Sequence, residues 1–146
     1  MASRVVLQSP FNEEQAQLSR DGRWLAFTSD ESGRPEVYVQ DFPALAEKWL
    51  ISTNGGADPQ WRADGRELFF LAADHKLMSV PVKYGTTFEP GIPTPLFQAR
   101  VTGLTDVRTH YQVSADGQRF LVNTIGPGDR GSPVHVVVNW EAMLAR

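Results

Sequence analysis

Short runs of Val, Phe, Leu and Tyr, each cut off from the next by Gly, Pro, Asp or Ser, set the rhythm of this chain. Runs of this length and composition predict strands rather than helices. The first group spans Gln15 to Ser19, Trp24 to Ser29, Glu36 to Asp41 and Lys48 to Ser52, with Glu31-Ser32-Gly33-Arg34-Pro35 turning the second strand into the third. The second group spans Pro59 to Arg62, Glu67 to Ala72, Lys76 to Val82 and Thr94 to Gln98, and the third Thr109 to Ser114, Arg119 to Thr124 and Val134 to Trp140. Only the tail, Glu141 to Arg146, has the makings of a helical turn. The expected fold class is all-β, without an internal domain boundary.

The three groups are copies of one another. Gln17-Leu18-Ser19-Arg20-Asp21-Gly22, Gln60-Trp61-Arg62-Ala63-Asp64-Gly65 and Gln112-Val113-Ser114-Ala115-Asp116-Gly117 align position by position, and each runs on into an apolar segment. Asp-Gly accepts the positive dihedrals of a two-residue hairpin turn, so each copy is expected to read strand, tight turn, strand. Asp21, Asp64 and Asp116 are spaced by 43 and then 52 residues, near the ~40–45 residue period of four-stranded propeller blades. The longer interval holds the Gly- and Pro-rich stretch from Lys83 to Pro95, expected as an extended rim loop. This predicts three four-stranded antiparallel blades, at about 11–53, 54–99 and 105–140, half of a six-bladed β-propeller.

Counting strands leaves one gap and one surplus. The third blade ends at Trp140 without an obvious fourth strand, while Arg4 to Gln8 is a β-rich segment ahead of the first blade. Three blades do not readily close a ring, since propellers typically carry 4–8. Two expectations follow. One is a two-fold homodimer in which the N-terminal strand 4–8 closes the other copy's third blade, through Val5, Val6 and Leu7 against Val136 and Val138. The other is that the chain is part of a longer propeller and associates through its uncapped blade faces.

The segments Phe11 to Ser29 and Glu31 to Gln40 resemble the TolB-type, Trp-Asp-repeat-like propeller unit, built on a Ser-Pro-Asp-Gly phrase; here Arg20, Ala63 and Ala115 stand where Pro is usual. The resemblance covers nearly the whole chain and is strongest to the C-terminal propeller regions of bacterial serine/threonine kinase-type signalling proteins. It implies a binding platform without chemistry of its own. Related propellers also gate peptidases or scaffold periplasmic complexes, so the fold does not choose the job.

Composition narrows the partners. With 146 residues, 41% hydrophobic and 21% charged, the chain suits one ordinary globular domain. A net charge of −3 with interleaved signs offers no basic stripe for phosphates, so nucleic acid is not an expected partner. There is no cysteine, which removes disulfide and thiolate chemistry but does not choose a compartment. No run approaches the ~20 apolar residues of a membrane span. Cytoplasmic localisation is the default, a parent protein in the periplasm or anchored to a membrane staying open.

Enzyme signatures are missing from the sequence. There is no Gly-x-Ser-x-Gly elbow and no spacing that marks a catalytic triad. His75, His110 and His135 fall in three different units without zinc-type spacing, and Asp21, Asp64 and Asp116 begin no calcium loop, so no metal or cofactor is expected. Their carboxylates are better placed to bond the local turn. Asn54-Gly55-Gly56 lacks a phosphate-loop continuation and reads as a turn between blades.

The inner strands carry the candidate site. Gln17, Gln60 and Gln112 hold the same place before each Asp, and two residues earlier stand Gln15, Asp58 and His110. Strand alternation puts these six on one face, lining a central channel, while Leu18, Trp61 and Val113 turn into blade packing. The plainer alternative is that the glutamines bond neighbouring inner strands and water. Trp24, Trp61, Phe70, Phe120 and Trp140 are expected in the core; Trp49 and Tyr84 are better placed to touch another protein. The expected function is a non-catalytic scaffold for protein or ligand binding, completed by self-association. The alternatives are an accessory or sensor propeller of a larger kinase or peptidase and, more weakly, a small hydrolase using His110 or Asp58.

Overall fold

The computed structural model describes residues 3, 5–83, 85–101, 103–104, 109–124 and 134–138, with only the main chain of 134, 135 and 138. Arg4, Tyr84, Trp140 and the tail 141–146 lie outside the described residues. Twelve strands and no helix make up this part of the chain. The first sheet runs in the order β1 (Glu13–Leu18), β2 (Trp24–Ser29), β3 (Glu36–Asp41) and β4 (Lys48–Leu50). The second joins β5 (Gly56–Trp61), β6 (Glu67–Ala72) and β7 (Lys76–Lys83), with β8 (Glu89–Pro90) and β9 (Thr94–Gln98) both on β7. The third holds β10 (Tyr111–Val113), β11 (Arg119–Asn123) and β12 (Val134–Val138). All pairings are antiparallel, as consecutive strands joined by short turns require. The three sheets are the expected blades of a partial propeller.

The Asp-Gly turns differ from the two-residue form expected for them. Only the glycines take positive φ: Gly22 and Gly117 at 72° and Gly65 at 71°. In each copy the glycine N–H donates to the carbonyl three residues back, Gly22 to Ser19, Gly65 to Arg62 and Gly117 to Ser114, each at 2.8–2.9 Å. The loop is then closed two residues later, where Ser19 N–H reaches the Trp24 carbonyl at 2.8 Å. This is a four-residue hairpin loop built around a β-turn. Aspartate makes the difference, because Asp21, Asp64 and Asp116 each accept the main-chain N–H two residues on, at 3.0–3.2 Å, which holds them out of the left-handed region. Ser19 and Ser114 complete their turns by donating to Asp21, at 2.7 Å, and to Asp116.

Alternation along the second strand of each blade sends side chains to two neighbours. Trp24 and Ala26 of β2 pack with Leu68 and Phe70 of β6 in a core between blades 1 and 2. Phe69 and Leu71, on the other face of β6, pack with Phe120 and Val122 of β11 between blades 2 and 3. The blades therefore hold together as a stack of apolar faces. Trp24, Phe70 and Phe120 are buried as expected, and Trp61 is half-buried against the same core.

Two rim features lie deeper than their sequence suggests. The stretch between Lys83 and Pro95 forms β8 along β7 and inserts Phe88 into the core, 5.2 Å from Trp24 and 5.1 Å from Trp49, ring centre to ring centre. Trp49, expected to face a partner, is half-buried edge-on to Trp24 at 5.7 Å. Trp49 pairs across the strands with the buried Val39, so the two side chains share the face that packs on blade 2.

Candidate functional site

The inner strands β1, β5 and β10 are joined laterally by one hydrogen-bonding device used twice. Gln15 Oε1 accepts the main-chain N–H of Asp58 at 2.8 Å, and Asp58 Oδ2 accepts that of His110 at 2.7 Å. These three residues are the same position in three repeats, and Gln15 and Asp58 each satisfy the backbone of the counterpart in the next blade. The backbone is bent to allow it: Gln15 and Asp58 have φ of 56° and 55°, and the ladder slips between Glu14 and Gln17 and between Ala57 and Gln60. Simple alternation therefore fails here, and Gln15 does not share an even face with Gln17. The bulge re-aims the side chain sideways along the ring.

Further bonds tie the same seams. Thr28 donates its hydroxyl to Gln15 Oε1 at 2.8 Å within blade 1, holding that side chain in place, and the Trp61 indole N–H donates across the seam to the Gln17 carbonyl at 3.1 Å. Between blades 2 and 3, Gln60 Nε2 donates to the Tyr111 carbonyl, and the Tyr111 hydroxyl donates to the Asp58 carbonyl at 2.9 Å. His110 Nδ1 lies 3.4 Å from Asp58 Oδ2. Burial pushes the Asp58 carboxyl above its ordinary range, with the hydrogen bonds and charge from His110 pulling partly back. Burial also pushes the Tyr111 hydroxyl well up, and the nearby Asp58 charge adds to this.

The six expected channel residues thus separate into two sets. Gln15, Asp58 and His110 act as a lateral joint, with Asp58 and His110 buried. Gln17, Gln60 and Gln112 converge, as the repeat suggests, on one groove of about 430 Å³ beside the Asp-Gly turns. Gln17 and Gln112 are exposed there, while Gln60 is buried and bonds the next inner strand. Trp61 and Val113 turn into the core, but Leu18, at the same position, is 47% exposed.

Arg20, Arg62 and the edge of Trp61 complete the groove wall. The arginines occupy the variable positions of the repeat, so equivalence between the copies does not mark them as groove residues. Arg62 pairs with Asp64 and Glu67, each at 3.4 Å, and its side chain lies across Gly117 of the third turn. Amide and guanidinium groups make the groove rich in donors, a surface suited to a carboxylate, a carbonyl or an extended main chain. The bonds of Asp58 and His110 are those of a structural joint.

The sequence matches no family model and no curated protein. Among solved structures it is similar to TolB from Acinetobacter baumannii, with a TM-score of 0.61 and 19% identity over 86% of this chain and 29% of that one. It is also similar to oligogalacturonate lyase from Vibrio parahaemolyticus, with a TM-score of 0.54 and 14% identity over 80% of this chain and 31% of that one. Both are β-propellers, and at these identities they show the fold alone: a TolB-like propeller of which this chain spans under a third of either length.

Proposed function

We propose that this chain is a non-catalytic propeller scaffold that binds a protein segment or small polar ligand in the groove of Gln17, Gln60 and Gln112. The observation that carries it is the convergence of these three equivalent residues, with Arg20 and Arg62, on one donor-rich surface at the ends of the inner strands. Among the described residues the groove presents hydrogen-bonding side chains but no nucleophile paired to a base, which favours recognition over turnover.

Self-association completes the ring in this reading. Two three-bladed chains make six blades, within the usual propeller range. Val5, Val6 and Leu7 of one copy then pair along β12 of the other, at Val136 and Val138, and supply the fourth strand that blades 1 and 2 have in β4 and β9. In support, among the described residues Val5 to Gln8 pairs with no strand, and none pairs with the outer edge of β12.

The second reading is an accessory or sensor propeller of a larger kinase-type or peptidase protein. Its support is the small share, 29% and 31%, of the similar propellers that this chain covers.

Titration of isotope-labelled protein with a panel of tetrapeptides, followed by nuclear magnetic resonance, tests the groove. The side-chain amides of Gln17 and Gln112 are expected to shift, and Gln17→Ala with Gln112→Ala to weaken binding at least tenfold. Peptide binding that is unchanged in the double variant removes the proposal.

A further inference from the structure

The two end faces of the three-blade stack carry the same repeat positions that are buried inside it. Ala26 and Phe69, fully buried in the seams that follow blades 1 and 2, correspond to Leu121 in blade 3, which is 43% exposed. Val39, buried in the first seam, pairs with Ala26 as Val136 pairs with Leu121, and Val136 is 62% exposed. On the opposite end, Leu25 and Phe27 correspond to Leu68 and Phe70, the residues by which blade 2 packs on blade 1. Leu18 corresponds to Trp61 and Val113, each seated against the preceding blade.

The blade 1 end face is not bare. Leu7 and Phe42 pack against Leu25, Phe27 and Tyr38, and Val6, Leu7 and Leu18 line a mostly apolar groove of about 400 Å³ on that face. The N-terminal segment thus lies where a preceding blade would sit. Its cover is partial, since Val6 and Leu18 remain largely exposed.

We propose that the blade 1 end face is the docking surface for the blade 3 end face of a second copy, with Leu18 seated on the partner's Leu121 and Val136, and that residues 5–8 leave this groove when it docks. The occupant is a second copy because its Leu121 continues the contact that Ala26 and Phe69 make at both internal seams, and its Val136 the contact that Val39 makes at the first. Val5 to Leu7, once displaced, become available to pair elsewhere. The proposal rests on the self-association reading and specifies how its interface is built.

Because the chain has no cysteine, single introduced thiols report contacts cleanly. Leu18→Cys chains mixed with Leu121→Cys chains and oxidised are expected to give a covalent heterodimer, in at least fivefold excess over either homotypic pair. Light scattering of the parent is expected to show a dimer, and Leu121→Asp and Leu18→Asp to raise its dissociation constant at least tenfold. Removal of residues 1–9 separates the two roles of the segment: it is expected to speed association, as the groove opens without a displacement step. A monomeric parent at high concentration overturns both this interface and the self-association reading. A dimer that gives no heterotypic disulfide, and that both Asp variants leave intact, overturns this interface alone.

Discussion

The buried carboxylate of Asp58 accepts the main-chain N–H of His110 at 2.7 Å, one blade to the next. Removing the acceptor while keeping the fold isolates its worth. Asp58→Ala leaves that N–H without its partner and puts alanine at a φ of 55°, so a loss of about 1–3 kcal/mol in urea unfolding is expected. Asp58→Asn keeps an acceptor and tolerates that dihedral. It is expected to retain most of the stability at neutral pH, and an equal loss in both variants would show that the seam does not use this bond.

The same residue gives a pH dependence of definite sign. Its carboxyl titrates above the unfolded value of 3.8, so the fold holds the proton more tightly than the unfolded chain. That contribution is fully present below pH 3.8 and is lost as pH rises through the folded value. Asp58→Asn does not titrate, so its stability relative to the parent should rise from acid towards neutral pH. Parallel stability curves for parent and variant across that range would contradict the buried, proton-holding carboxyl.

Glu36, the first residue of β3, is a buried carboxylate that bonds the turn between blades 1 and 2. It pairs with Arg34 at 2.7 Å, accepts the Gly55 N–H at 2.9 Å and accepts the Ser52 hydroxyl. Glu36→Ala strips the acceptor from all three, and a loss of about 2–3 kcal/mol is expected. Glu36→Gln keeps an acceptor for the turn and should lose less. A denaturation midpoint unmoved by the alanine variant would show that the turn does not depend on this carboxylate.

Gly22 and Gly117 share a φ of 72° but not their surroundings. A Cβ at Gly22 meets nothing within 4 Å, whereas one at Gly117 lies 3.0 Å from Arg62 Cδ. Gly22→Ala should therefore cost only the left-handed backbone, about 1–2 kcal/mol. Gly117→Ala should lose about 1 kcal/mol more by displacing Arg62 from Asp64 and Glu67. Equal thermal shifts for the two variants would contradict the contact.

Phe88 anchors the stretch between Lys83 and Pro95 in the seam between blades 1 and 2. Phe88→Ala is expected to destabilise by about 3–5 kcal/mol, as for a core aromatic. A loss under 1 kcal/mol, with unchanged near-ultraviolet dichroism from Trp24 and Trp49, would return this stretch to the rim.

Strand positions were legible in the sequence because short β-rich runs and turn residues act locally. Trp24–Ser29, Glu36–Asp41, Glu67–Ala72 and Thr94–Gln98 stand where the pattern predicts them. Trp49 and the stretch from Lys83 to Pro95, which carries Phe88, lie deeper than the sequence suggests for one reason: burial in a blade seam depends on a neighbour distant in sequence. The glutamine groove was partly legible: the repeat aligned Gln17, Gln60 and Gln112, but Arg20 and Arg62 vary between copies and carry no periodic signal.

The repeat by itself determined three blades and which residues are equivalent, because equivalence needs only spacing and local turn chemistry. Tertiary structure decided what equivalent residues do. A positive φ at Gln15 and Asp58 turns their side chains along the ring, where each meets a main-chain N–H more than forty residues away. Leu121 and Ala26 likewise share a place in the repeat, yet one is exposed and the other buried. Their environments differ because a blade follows Ala26, and blade order in space is fixed by packing rather than by local sequence.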